Sequence, residues 1–159
     1  MKKIKICADP FPPYQYINDN GEAEGLDHEL INAAFNDAGY SMDIKIAPWN
    51  EVIDAFEKKE YDALFQVQDT PERRKKYFLS YKLRDAVTDV VKVAGSGIQA
   101  DSYDKLSEYR IGLIDGFANG EDIDRLPEEC KIFHEDTREM IDALTAGETD
   151  VAVCDRGVV

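Results

Sequence analysis

The segment 66–74 contains the residues whose types and spacing are best suited to binding a small anion. Thr70 is a good helix N-cap, and Pro71 is favoured at the first helical position. A helix beginning here would direct free backbone N–H groups and its positive dipole end toward an anion. Arg73 lies in the same first turn and could hold a carboxylate through two parallel hydrogen bonds. The alternative is that Arg73 belongs to a solvated basic run at 73–76.

Aromatic residues in the N-terminal half could form the walls of a ligand site. Phe11, Tyr14, Tyr16 and Trp49 lie at or just after predicted strand ends. Rings at such positions commonly line small-molecule clefts. Each of them could instead pack in a hydrophobic core, and the sequence leaves both interpretations open.

No convincing catalytic or metal-binding set accompanies these residues. His28 and His134 have no paired Cys or Ser nearby and are expected to be ordinary surface histidines. Cys7, Cys130 and Cys154 lack zinc-ligand spacing and are expected to be buried or incidental thiols. The sequence therefore predicts a protein without a metal, a cofactor or an enzymatic activity.

The elements that must position these residues alternate between short apolar runs and helical patterns. Apolar runs predict strands at 4–8, 43–47, 61–67, 88–93, 111–114, 131–133 and 151–154. Helical spacing predicts helices that begin at Leu26, after an N-cap at Asn50, and after an N-cap at Thr137. Such alternation indicates βαβ units and mainly parallel sheets.

A weak internal repeat indicates that one βαβ design is used twice. Residues 53–62 resemble residues 141–150, and each segment spans the end of a helix, a turn and the entry into a strand. Chance similarity between two such joints is the alternative. A true repeat predicts two α/β lobes, residues 1–87 and 88–159, with a ligand cleft at the carboxyl ends of the strands.

Length and composition limit the class of protein. The 159 residues suffice for one large domain or two small ones, and 43% hydrophobic residues are typical of a globular protein. The formal charge of -14 repels phosphate, which argues against nucleic-acid binding. No apolar run approaches the roughly 18 residues of a transmembrane helix, and no signal peptide is recognisable.

Several short motifs, taken in order, resemble the family 3 extracellular solute-binding proteins, the polar amino-acid receptors of bacterial import systems. The motifs are Asp9 with Phe11, Pro13 and Tyr14; Gly25-Leu26-Asp27 with Leu30; Trp49; Tyr61-Asp62-Ala63; Thr70-Pro71-Glu72-Arg73 followed by Phe78-Leu79-Ser80-Tyr81; and Asp150-Val151-Ala152-Val153-Cys154-Asp155. The resemblance implies a type II periplasmic-binding-protein-like α/β fold of two lobes with mainly parallel sheets. Relative to the family, the second crossover and the C-terminal segment would be missing.

The resemblance implies ligand-binding roles, residue by residue. Arg73 would bind the α-carboxylate of the ligand, and Thr70 would cap that helix and add a hydroxyl contact. Asp155 would bind the α-ammonium group from the other lobe. Phe11 and Trp49 would enclose the ligand side chain between their rings.

Three polar residues complete the expected site. By the same resemblance, Asp9 would be a polar contact at the cleft floor. Gln66 and Gln68 depart from the small residues that are usual before the signature. Their amides could replace a hydroxyl contact or fill part of the pocket, so the side-chain specificity is open.

The resemblance also implies a function. The chain would be a non-enzymatic receptor for an amino acid or a related small carboxylate, working with the membrane component of an ABC importer in the periplasm or another extracytoplasmic compartment. A ligand-sensing module of a signalling protein and a cyclohexadienyl-dehydratase-like enzyme are the alternatives. Because family members continue past the position of Asp155, exposed apolar surface and a tendency to form a homodimer are expected.

Overall fold

The computed structural model describes residues 2–158, which form two compact units that divide between Asp85 and Ala86. This division falls two residues before the border expected from the sequence. Among the described residues, no helix has both the length and the apolar character needed to cross a membrane. Strands and helices alternate in both units.

A parallel three-stranded sheet forms the centre of the first unit. Its elements are β1 (Lys2–Ala8), β2 (Tyr16–Ile17), β3 (Ala23–Glu24), α1 (Leu26–Asp37), β4 (Tyr40–Ile46), α2 (Trp49–Glu57), β5 (Ala63–Leu64) and α3 (Pro71–Lys76). The strand order is β4-β1-β5, with both pairs parallel, and β2 and β3 form a separate antiparallel hairpin. Helices α1 and α2 are the two crossovers, as the βαβ pattern predicted.

Two local predictions for the first unit are wrong. The strand expected at 61–67 is paired only over β5, because Gln66 has a left-handed backbone with φ of 64° that ends the extended conformation. Asn50 is not the N-cap of α2, which begins one residue earlier, at Trp49. The extended backbone of Pro48 provides the cap position instead.

A four-stranded mixed sheet forms the second unit. Its elements are β6 (Thr88–Val91), α4 (Tyr103–Leu106), β7 (Ile111–Ile114), α5 (Glu121–Asp124), a 3-10 turn (Glu128–Cys130), β8 (Lys131–His134), α6 (Thr137–Ala146) and β9 (Val151–Asp155). The order is β6-β9-β7-β8, and only β6 is antiparallel to its neighbour. The N-cap of α6 is Asp136 rather than Thr137, because its carboxylate accepts the Glu139 N–H at 2.9 Å.

The internal repeat is a repeat of hydrogen-bond geometry as well as of sequence. After α2, Lys59 has a φ of 62°, and after α6 the matching residue Gly147 has a φ of 76°. At the strand entries, the Asp62 carboxylate accepts the Lys5 N–H at 2.9 Å, and the Asp150 carboxylate accepts the Arg110 N–H at 2.8 Å. In each unit, the aspartate that precedes one strand thus accepts a hydrogen bond from a backbone N–H at the neighbouring strand.

The repeat places a lysine where its counterpart is glycine, and this difference predicts opposite effects of two substitutions. A left-handed backbone costs a residue with a Cβ about 1 kcal/mol relative to glycine. We expect Lys59→Gly to raise the free energy of unfolding by about 0.5–1 kcal/mol. We expect Gly147→Ala, whose Cβ would meet no atom within 4 Å, to lower it by a similar amount. Urea denaturation measures both changes, and a Lys59→Gly variant that is less stable than the parent would contradict the shared geometry.

Candidate ligand-binding site

The site of the first unit lies at the carboxyl edge of its parallel sheet. Asp9 directly follows β1, and Gln66 lies two residues after β5. The chain crosses from β1 to β4 on one side and then returns to β5 on the other, so the order reverses between β1 and β5. Crevices form at such reversals, outside the strand ends, and they are where open α/β sheets bind ligands.

Asp9 is a buried carboxyl at this edge, with only 5% of its surface exposed. Burial raises the pKa of Asp9 from its usual 3.8 to about 7, although its backbone N–H and the positive charge of Arg73 act in the opposite direction. Gln15, which is completely buried, donates from Nε2 to the Asp9 backbone carbonyl at 3.2 Å. The protein therefore holds Asp9 in a dry environment that raises the pKa of its carboxyl to about 7, so the group titrates near neutral pH.

Arg73 is held at the start of α3 by three contacts. The Thr70 hydroxyl accepts the Arg73 backbone N–H at 3.3 Å, which confirms the predicted N-cap. The guanidinium carbon lies 5.1 Å from the centroid of the Trp49 ring, and Nη1 donates to the Gln68 carbonyl at 3.1 Å. Arg73 is half-buried, whereas Arg74, Lys75 and Lys76 of the same basic run are exposed.

A shallow groove adjoins Arg73. Its volume is about 210 Å³, and it lies between α2 and α3. Trp49 and Ile53 line one side, and Glu72, Arg73, Lys76 and Tyr77 line the other. Half-burial lowers the pKa of the Arg73 guanidinium, while Tyr77 and Asp9 act to raise it. An arginine keeps its proton well above neutral pH, so Arg73 provides a fixed positive charge at this edge.

Phe11 and Tyr14 form a stacked pair in the loop that follows β1. Their ring centroids are 5.7 Å apart and their planes differ by 20°. The loop is fixed on the first turn of α1, since the Tyr14 carbonyl accepts the Asp27 N–H at 2.9 Å. Gly25, with a φ of 125°, is required at this junction because a Cβ would lie 2.4 Å from the Tyr14 carbonyl oxygen.

A second guanidinium, that of Arg84, covers the aromatic pair. Its carbon lies 3.7 Å from the Tyr14 ring centroid and 5.9 Å from that of Phe11. Its Nε forms an ion pair with the buried carboxylate of Asp27 at 3.3 Å. Its Nη2 donates to Gln66 Oε1 at 3.4 Å.

The two predicted glutamines differ in their surroundings. Gln66 is half-buried, and its Nε2 is buried without a hydrogen-bond partner among the described residues. Gln68 is exposed and contributes a backbone carbonyl, through its contact with Arg73. The amide of Gln66 is thus partly buried at the sheet edge, whereas Gln68 contacts Arg73 through its backbone.

Asp155 belongs to the second unit. It is the last residue of β9 and half-buried, and its Oδ1 accepts the Gly157 N–H at 2.8 Å. The next residue, Arg156, pairs with Asp89 through two hydrogen bonds, at 2.6 and 2.8 Å. The carboxylate therefore stands at a strand end, as the motif predicted.

The histidines and cysteines provide no further site. His134 is buried at 7% exposure, so the expectation that it is a surface residue is wrong. It is the last residue of β8 and pairs with Ile114 of β7. Cys7, Cys130 and Cys154 are buried and unpaired with one another, as expected. Among the described residues, no group of three His, Cys, Asp or Glu side chains is arranged to hold a metal ion.

Two residues of the site were missed by sequence reasoning. Gln15 has no motif and is recognisable only once its contact with Asp9 is seen. Arg84 lies 57 residues from Asp27 in a stretch without regular structure, so no spacing rule connects the two. The aromatic residue Tyr14 and the motif residue Asp27 could be singled out from the sequence, but Arg84, which contacts both, could not.

Comparison with known proteins identifies the family. The family model described as bacterial extracellular solute-binding proteins, family 3, matches residues 4–147. The chain therefore belongs to this family. No protein in a comparison with curated sequences matches it.

Solved structures confirm a type II periplasmic-binding-protein fold. An ancestral arginine-binding protein bound to arginine has a TM-score of 0.86 and 21% identity, covering 99% of this chain and 72% of its own. An arginine transport-system periplasmic binding protein from Legionella pneumophila has a TM-score of 0.84 and 20% identity, covering 99% and 70%. An ancestral amino-acid-binding protein described as a precursor of cyclohexadienyl dehydratase has a TM-score of 0.84 and 19% identity, covering 98% and 72%.

The buried carboxyl of Asp9 predicts that the protein loses stability as the pH rises. Because the folded-state pKa lies above the unfolded value, the folded protein binds the additional proton between pH 3.8 and about 7. The free energy of unfolding therefore decreases across this window and is constant above it with respect to this group. The loss amounts to a few kcal/mol at most, at about 1.4 kcal/mol per pKa unit.

Asp9→Asn removes this titration. We expect its free energy of unfolding to fall less steeply between about pH 5 and 7 than that of the parent, as measured by urea denaturation. Asp19→Asn, in an exposed turn, makes the same change in net charge and should keep the parental slope. If Asp9→Asn also keeps the parental slope, Asp9 is ionised in the folded protein at neutral pH.

Proposed function

We propose that this chain is an extracytoplasmic receptor that binds an amino acid or a related small carboxylate. Membership of the solute-binding family supports binding of a small molecule. Ancestral arginine-binding proteins of similar structure are bound to arginine in one case and to glutamine in another, which supports an amino acid in particular. No bond is made or broken in this function.

The observation that carries the proposal is the Arg73 guanidinium, half-buried on Trp49 at the sheet edge. A guanidinium in such a position binds a carboxylate through charge-assisted hydrogen bonds, which are roughly twice as strong as neutral ones. Helix α3 has only six residues, so its dipole contributes little and the guanidinium is the main attraction. The α-carboxylate of the ligand is its proposed partner.

The remaining site residues have proposed roles around this anchor. Thr70 fixes the start of α3 and adds a hydroxyl contact to the same carboxylate. Asp155 of the second unit supplies a carboxylate for the α-ammonium group. Phe11 and Trp49 provide apolar walls for the ligand side chain, and Asp9 provides a buried polar contact.

The glutamines have separate proposed roles. The buried Nε2 of Gln66 donates a hydrogen bond to the ligand, which supplies the acceptor that this atom otherwise lacks among the described residues. Gln68 contributes by its backbone carbonyl, which holds Arg73. Its exposed amide is proposed to lie at the rim of the site.

The receptor is proposed to deliver its ligand to the membrane component of an ABC importer, in the periplasm or another extracytoplasmic compartment. A sensing module of a signalling protein would use the same binding site. Association into a homodimer is proposed through exposed apolar side chains, of which Phe78 and Tyr81 are almost fully exposed.

A second candidate function is that of a cyclohexadienyl-dehydratase-like enzyme. The matched ancestral precursor of such an enzyme and the raised pKa of Asp9 favour it, because a buried protonated carboxyl could act as a general acid. We expect no aromatic product when the protein is incubated with prephenate or arogenate. Product formed by the parent and lost in Asp9→Asn would replace the receptor function with this enzymatic one.

The anchoring role of Arg73 predicts the result of a thermal-shift experiment. A ligand at about 100 times its dissociation constant stabilises the folded state by about 2.7 kcal/mol, a shift of several degrees in a chain of this size. A panel of amino acids and small organic acids should contain compounds that give this shift. Arg73→Ala should abolish it, because the carboxylate loses its charged partner.

Arg74→Ala is the matched control. Arg74 lies in the same turn, is exposed and pairs with Asp69, so its removal makes the same charge change outside the site. The Arg74 variant should keep the full shift. A full shift retained by Arg73→Ala would show that Arg73 is not the anchor.

A further inference from the structure

We propose that Arg84 determines the ligand class by excluding cationic side chains and favouring a side chain with a hydrogen-bond acceptor, such as an amide or a carboxylate. This inference rests on the proposed function and adds to it a specificity-determining residue. Arg84 is outside the motifs of the sequence and makes contacts to the aromatic pair, to α1 and to Gln66 at once.

The first step concerns the aromatic faces. An aromatic ring attracts a cation to its face, and this is how a ligand ammonium or guanidinium group is commonly held. Here the chain's own guanidinium of Arg84 lies 3.7 Å from the Tyr14 ring centroid. A second cation brought to the same face would meet a like charge at close range. A ligand cation therefore cannot use this face without displacing Arg84.

The same is true of the other proposed wall. The guanidinium of Arg73 lies 5.1 Å from the centroid of the Trp49 ring. The two guanidinium groups are tied to one short segment, since Arg73 contacts the Gln68 carbonyl and Arg84 contacts the Gln66 amide. Both sets of rings thus carry resident positive charges, which disfavour a cationic side chain at this edge.

Two buried carboxyls near these cations, those of Asp27 and Asp9, do not offset the repulsion of a cationic ligand side chain. Asp27 is already paired with Arg84 and has only 5% of its surface exposed. Asp9 is buried, and burial raises its pKa to about 7, so that its negative charge is incomplete at neutral pH. Neither acid offers a fully charged, unpaired carboxylate to a ligand cation. Asp27 and Asp9 therefore do not supply the counter-ion that binding of an arginine or lysine side chain would use.

The second step concerns the amide of Gln66. Because the Arg84 Nη2 donates to Gln66 Oε1 at 3.4 Å, the amide oxygen is oriented toward Arg84 and the Nε2 donor is directed elsewhere. That Nε2 is buried and has no partner among the described residues. The residue also keeps a left-handed backbone with a φ of 64°, which is uncommon for a residue with a Cβ. Arg84 thus orients a donor that a carbonyl or carboxylate oxygen of the ligand would satisfy.

The experiment compares ligand selectivity in the parent and in Arg84→Met, by calorimetric titration with glutamine, glutamate, arginine and lysine. Methionine keeps an unbranched apolar chain and removes the cation. We expect the parent to bind glutamine or glutamate at least tenfold more tightly than arginine or lysine. Arg84→Met should shift this ratio at least tenfold toward the cationic ligands, because the ring face becomes accessible and the Gln66 amide is no longer oriented.

Removal of Arg84 leaves Asp27 as a buried unpaired carboxylate, which can prevent folding. The double variant Arg84→Met with Asp27→Asn removes both charges and should give the same change of selectivity. Lys82→Met is the matched control, because Lys82 is an exposed cation two residues away that pairs with Asp85. It should leave the selectivity of the parent unchanged.

The outcomes separate this inference from the proposed function. If the parent binds arginine or lysine as tightly as glutamine and glutamate, the inference is wrong and the receptor function stands. An unchanged ratio in the folded single or double variant also overturns it. If none of the four amino acids, and no other member of the wider panel, binds the parent, both the inference and the proposed function are wrong.

Discussion

The central position of β1 in a parallel sheet is the constraint on which the candidate site depends. Strands β4 and β5 pair with opposite edges of β1, so the connection from β1 to β4 and the connection from β4 to β5 run in opposite directions across the sheet. At the carboxyl edge of this sheet, Asp9 follows β1 and Gln66 lies two residues after β5. In the proposed function, a ligand at this edge would contact buried polar groups, and a few side chains would therefore decide its recognition.

Burial of charge at this edge has a thermodynamic cost, and the chain compensates it in different ways. Burial raises the pKa of Asp9 to about 7, so partial protonation near neutral pH reduces this cost. Asp27 instead remains paired with Arg84, whose guanidinium also rests on the Tyr14 ring. The buried Nε2 of Gln66 is not compensated within the described residues. This unequal compensation is typical of binding sites, where an unmade hydrogen bond in the empty protein becomes a contact to the ligand.

The sequence predicted the elements that depend on local rules and missed those that depend on distant contacts. Periodicity located β7 without error, and cap chemistry located the start of α3 at Thr70. The predicted strand at 61–67 is longer than β5, because nothing in this apolar run signals the left-handed backbone at Gln66. For the candidate site, Arg73 could be named in advance from the helix start at Thr70, and Asp9 from the resemblance to the solute-binding family. The partners Gln15 and Arg84 could not, because their roles are defined only by folded contacts over long sequence separations.

The strongly acidic composition and the cationic site act over different distances. A net charge of -14 opposes the approach of an anionic ligand, but salt screens such repulsion beyond about 8 Å at physiological ionic strength. Within hydrogen-bonding distance, a half-buried guanidinium such as Arg73 is screened much less and its interaction is correspondingly stronger. The acidic surface therefore affects the rate of encounter and the solubility of the chain. In the proposed receptor, the resident guanidinium groups would affect which ligand remains bound, so local cations would select carboxyl-containing ligands on a protein whose overall charge has the same sign as theirs.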